Sequence, residues 1–119
     1  MSSYSGPFQV QNLTGQTIKG VTVEHEASGQ QTSTIGPTDM ENGQIVAGGT
    51  VYAETSSVDH WSLSFSFTDP SDYVQGNCSC AYYEEDAESG LPVTVTLFKN
   101  YYNINTPVSA ACTNKDYSS

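Results

Sequence analysis

The sequence predicts an all-β protein, a single antiparallel β-sandwich of about 7–9 strands. Three observations predict it. The stretch Trp61-Ser62-Leu63-Ser64-Phe65-Ser66-Phe67 alternates large apolar groups with serine. Successive side chains of a strand point to opposite faces, so one face carries Trp61, Leu63, Phe65 and Phe67 and the other only hydroxyls. Similar short runs recur at roughly ten-residue spacing, bounded by Gly, Pro, Asn and Asp. No window holds its apolar residues at a sustained helical period. The 61–67 stretch contains the only tryptophan and two of the four phenylalanines, so it is expected to supply the core of one sheet.

The elements follow in order. Residues 1–7, rich in serine with Gly6-Pro7, read as a disordered lead. Phe8, Val10 and Asn12 alternate into a first strand that ends at the turn-forming Asn12-Leu13-Thr14-Gly15. Thr17 to Glu26 places Val21, Val23 and His25 on one face, and is expected to form a hairpin with the first strand. A short strand is expected around Gln31 to Ile35, before Gly36-Pro37. Asn42-Gly43 suits the positive φ of a tight turn. Ile45 to Glu54 reads as a strand with a bulge at Gly48-Gly49. The strand around 60–68 stops at Asp69-Pro70, because proline cannot donate to a central ladder. Asn77 to Tyr83, Val93 to Phe98, Tyr101 to Ile104 and Val108 to Cys112 complete the set. The domain is thus placed at 8–113, with 114–119 as a C-terminal tail.

Composition narrows the function. Thirteen acids against three lysines and no arginine give a net charge of −10. Nucleic acid requires a basic stripe, which cannot be assembled here. Attraction to anionic lipid headgroups is disfavoured likewise. No apolar run approaches the ~18 residues of a transmembrane segment. The N-terminus lacks the basic and apolar regions of a cleaved leader, so the expectation is a cytoplasmic protein or one exported without a cleaved signal peptide.

Few motifs carry chemistry. Cys78, Cys80 and Cys112 are an odd number, so one thiol is left over in a monomer. A disulfide from Cys112 to Cys78, or alternatively to Cys80, suits an oxidising compartment, and three free thiols suit the cytosol. Glu84, Glu85, Asp86 and Glu88 put four carboxylates in five residues. They lack the spacing that wraps Ca²⁺ and read as a solvated hairpin tip. His60 follows Asp59, a pair that could serve a serine nucleophile, yet no nucleophile elbow is present. Two histidines near Cys78 and Cys80 suggest zinc, against the usual ligand spacing. No metal or other cofactor is therefore expected. Tyr82-Tyr83 and Tyr101-Tyr102 put one ring on each face of a strand, and outward tyrosines make ligand platforms. His25, His60, Tyr82 and Tyr102 are accordingly the ligand-binding candidates. Asn12-Leu13-Thr14 and Asn77-Cys78-Ser79 match the glycosylation acceptor pattern.

Val10-x-Asn12-x-Thr14-Gly15-x-Thr17-Ile18-x-x-Val21-x-Val23-x-His25, then the Trp61 strand with Phe65, the Cys78 region and Pro107-Val108-Ser109-Ala110-Ala111-Cys112, stand in a familiar order. They resemble a small domain family named for transcripts up-regulated in long-lived nematode insulin-receptor mutants. The resemblance spans most of the chain and implies a compact β-sandwich with no established activity or catalytic residue. The acidic run at 84–88 departs from it. Class and composition are also similar to the aegerolysins, which are acidic β-sandwiches that bind membrane lipids. The expected function is a non-enzymatic binding or stress-associated protein, a monomer or weak homodimer, with a protein, lipid or glycan ligand. The alternatives are an aegerolysin-like lipid-binding module and a hydrolase using His60 and Asp59.

Overall fold

The structure is a computed structural model, and it describes residues 3–55, 58–67, 72–109 and 112–118. Among them lie nine strands in two sheets. The strands are β1 (Ser3–Asn12), β2 (Ile18–Ala27), β3 (Ser33–Met40), β4 (Ile45–Glu54), β5 (Asp59–Ser66), β6 (Tyr73–Ser79), β7 (Val93–Leu97), β8 (Tyr101–Asn105) and β9 (Cys112–Asp116), with a short helix α1 (Glu84–Glu88) before β7. One sheet runs β4-β1-β7-β8-β9, the other β3-β2-β5-β6. All pairings are antiparallel except β1 with β7. The protein is an all-β sandwich, as its alternation requires.

The two inner faces interdigitate through the residues that alternation marks. Trp61, Leu63 and Phe65 of β5 are buried, as are Val21 and Val23 of β2, Phe8 and Val10 of β1, and Val93 and Val95 of β7. Phe8 meets the Trp61 ring edge-on across the sheets at 5.3 Å. At Gly76 of β6 a Cβ would come within 2.6 Å of the Tyr102 ring, so only glycine lets that ring cross from the opposite sheet. The expected bulge is present: β1 skips from Gly49 to Ala47, leaving Gly48 unpaired at φ +119.

Several expectations are corrected. β1 and β2 form no hairpin, because β1 lies between β4 and β7 while β2 lies between β3 and β5, in the other sheet. The lead is not disordered from Ser3 onward, since Ser3 to Pro7 pair with Glu54 to Thr50. The tail is likewise tied down: β9 runs to Asp116, and Ser118 exchanges backbone hydrogen bonds with Gln75 of β6. Tyr117 stacks on Tyr102 and meets Phe65 edge-on, closing one end of the seam between β6 and β9. The other end is closed by a disulfide between Cys80 and Cys112, leaving Cys78 free. The Cys78–Cys112 pairing is therefore replaced by its alternative. The sixth strand starts at Tyr73 rather than Asn77, and the last starts where Val108 to Cys112 was expected to end. The stop at Asp69-Pro70 falls outside the described residues.

Candidate functional site

Among the described residues polar side chains gather in several places, and strand parity sorts Asp59 and His60 between the first two. The first is inside the sandwich. Asp59 and His60 are neighbours in β5, so they point to opposite faces. Asp59 turns inward and is bonded to His25, with Nε2 and Oδ1 at 2.8 Å. Its other oxygen accepts the Tyr82 N–H at 2.9 Å. His25 is fully buried against the Trp61 ring, 4.8 Å between centroids, and its Nδ1 has no partner among the described residues. Trp61 donates its indole N–H to the Cys80 carbonyl, and Tyr4 donates to the Tyr82 carbonyl. These contacts pin the crossover from β6 to α1 onto the end of the core.

Asp86 extends this anchor. It is fully buried, and its carboxylate accepts the N–H groups of Tyr83, Val108 and Ser109 at 2.9 Å and the Ser109 hydroxyl at 2.6 Å. Burial pushes its pKa up, but these four bonds outweigh that and hold it below the ordinary carboxylate value. Glu84, Glu85 and Glu88 are exposed as expected, but Asp86 is not, and 84–88 is helix α1 linking strands of different sheets rather than a hairpin tip. A side chain that satisfies four donors outcompetes water there.

Three ligand-binding candidates are corrected by burial. His25 is fully buried, and Tyr82 and Tyr102 are 2% and 1% exposed, so none offers a surface. Tyr82 instead packs its hydroxyl against Gly6, where no side chain would fit. Asn12 is buried as well: its side chain donates to the Gln16 and Met40 carbonyls and accepts from Thr14. The Asn-Leu-Thr triplet thus builds a turn. Among the described residues no three His, Cys, Asp or Glu side chains converge as a metal would need.

The second place is the outer face of the four-stranded sheet, and His60 lies there. The register stacks three rows across β2, β5 and β6: Thr22, Ser64, Gln75; Glu24, Ser62, Asn77; Glu26, His60, Ser79. Small serines on the central strand make a low floor, while longer side chains on β2 and β6 make walls. The result is a trough of about 480 Å³ lined by Thr22, Glu24, Ser62, Ser64, Gln75, Asn77 and Ser118. A second hollow of about 330 Å³ continues it to Glu26 and His60, sharing Glu24, Ser62 and Asn77. The Glu24 carboxylate accepts from Thr34 at 3.2 Å, and Ser79 Oγ lies 3.2 Å from His60 Nδ1. The side chains of Ser62, Ser64, Gln75 and Asn77 make no hydrogen bond to another described residue. The alternation that marks the core strand also marks this floor, but only the register shows which residues wall it.

The third place is a hollow of about 530 Å³ at the sandwich end, lined by Phe67, Tyr73, Tyr117, Asp72, Lys99 and others. No helix among the described residues is long and apolar enough to cross a membrane. With this geometry in hand, no family model matches the chain and no curated protein is significantly similar to it.

Proposed function

We propose that this is a non-enzymatic binding module whose ligand lies along the trough over β2, β5 and β6. One observation carries the reading: the floor and walls present hydroxyl, amide and carboxylate groups in register, and the Ser62 and Ser64 hydroxyls of the floor make no hydrogen bond to another described residue. Such an array suits a polar, unbranched ligand that replaces water by specific hydrogen bonds. The disulfide supports an oxidising compartment as the place of action. The likeness to the nematode-named family adds the expectation of a compact β-sandwich with no established catalytic residue. The contact between Ser79 and His60 is the one feature that favours a hydrolase, and it is exposed, with Asp59 turned away into the core.

The test is an NMR screen of polar ligands against the ¹⁵N-labelled protein. Shifts should fall on Thr22, Ser62 and Asn77, and Ser62→Tyr, which fills the floor, should weaken binding at least tenfold with little change in melting temperature. Shifts centred on Tyr73 and Lys99 would move the site to the sandwich end. Sedimentation with zwitterionic liposomes, unaffected by Ser62→Tyr, would favour the lipid-binding alternative. Ester hydrolysis abolished by His60→Ala would favour an enzyme.

A further inference from the structure

We infer that the trough is selective for linear polyamines, an inference that rests on the trough being the binding surface. The lining sets the chemistry. Glu24 and Glu26 only accept hydrogen bonds, whereas the Ser, Thr, Asn and Gln side chains accept as readily as they donate. No lysine or arginine lines either hollow. A glycan or a neutral peptide can donate hydrogen bonds to these carboxylates but leaves their charge uncompensated. A chain of ammonium groups brings donors only.

Charge agrees with this. The protein carries −10, and its three lysines lie elsewhere. Lys19 is paired with Asp39 at 3.5 Å beside Met40 and Glu41, Lys99 sits at the sandwich end, and Lys115 is on β9. No lysine of the chain therefore competes for Glu24 and Glu26.

Shape agrees as well. From His60 to Ser64 the floor runs four residues, about 14 Å, and the walls stand one strand spacing, about 4.8 Å, to either side. That is long and narrow enough for an unbranched alkyl chain. Glu24 and Glu26 are about 7 Å apart along β2, a spacing that successive amines joined by short methylene linkers can meet. The serine floor lets each ammonium reach Ser62 or Ser64 while a wall carboxylate neutralises it.

The experiment is calorimetric titration of the intact protein at low ionic strength, with NMR shift mapping. The probes are spermine, putrescine, tetraethylene glycol as a neutral chain, cellotetraose, and a lysine–serine peptide of spermine's charge. Spermine should bind at least tenfold tighter than every other probe, with shifts confined to the trough. Glu24→Gln with Glu26→Gln should weaken it at least tenfold. Glu84→Gln with Glu85→Gln removes the same charge from a remote surface and should change it less than twofold. Equal effects of the two pairs, or shifts spread over all acidic surfaces, would reduce the binding to general electrostatics and overturn the inference. Tighter trough binding by the peptide or by cellotetraose would also overturn it, while leaving the trough as the binding surface. If no probe shifts the trough, the inference is overturned with no support left for the underlying site.

Discussion

At the scale of the residue, Asp86 separates two kinds of carboxylate that the sequence prints side by side. Glu85 is exposed and Asp86 fully buried, although they are neighbours on α1. Removing Asp86 strands three backbone N–H groups and leaves the Ser109 hydroxyl only its contact with Thr106. Bonds to a charged acceptor are worth about 1.5–3 kcal/mol each, less whatever water recovers. Asp86→Ala is therefore expected to cost about 3 kcal/mol or more in urea unfolding, whereas Glu85→Ala should stay within about 0.5 kcal/mol. Equal losses from the two would mean that Asp86 is not the anchor of this segment. Parity does the same sorting at 59 and 60. A one-residue step decides that Asp59 meets His25 in the core while His60 faces the trough.

At the scale of the element, the edge strands β6 and β9 belong to different sheets and are joined at both ends. Cys80–Cys112 joins one end and the Gln75–Ser118 bridge the other, with Tyr117 between them packed edge-on against Phe65 of the opposite sheet. Open edges invite pairing with other chains, and these contacts blunt two of the four. The disulfide closes a loop with a sequence separation of 32. In the chain-entropy account a loop of that length is worth about 3–4 kcal/mol. Thiol counting in denaturant should give one free thiol, Cys78, before reduction and three after it. Cys80→Ala with Cys112→Ala should lower stability by about that amount, and Cys78→Ala should leave it within about 1 kcal/mol. Trapping of Cys80 rather than Cys78 as the free thiol would reverse the assignment.

At the scale of the whole molecule, buried ionisable groups set the pH range of the fold. Asp86 has a folded pKa below 3.8, its bonds outweighing burial, so its contribution is present above the unfolded value and is lost as pH falls through the folded one. Tyr82 is shifted the other way. Burial first, then the nearby Asp86, Tyr4 and Asp59, raise it from 10.0 to about 12. Its contribution is complete below pH 10 and is lost as pH rises through about 12. Burial raises Tyr102 and Tyr117 in the same direction. Melting temperature should thus be level between about pH 5 and 9 and fall at both ends. Tyr82→Phe should make the alkaline fall shallower at little cost near neutrality, since the Tyr82 hydroxyl has no partner to lose among the described residues. An alkaline limb unchanged by Tyr82→Phe would place the titration elsewhere.

The sequence by itself determined the class of the fold, the core strand through 61–66, the bulge at Gly48 and the serine face, whereas Phe67 lies past the end of β5 and is only half-buried; the alternation reflects a period of two that any strand imposes. It also limited the cysteines to at most one bridge within the chain. Tertiary structure decided the rest. Alternation gives each strand two faces but names no neighbour, so it cannot tell that β1 and β2 part into different sheets or that Ser118 returns to β6. Cys78 and Cys80 share strand parity, and only the packing of β6 against β9 selects Cys80. The trough was half legible for the same reason. Its floor lies in one strand and can be read from one run of residues, but its walls come from β2 and β6, far apart in the chain, and exist only once the register aligns them.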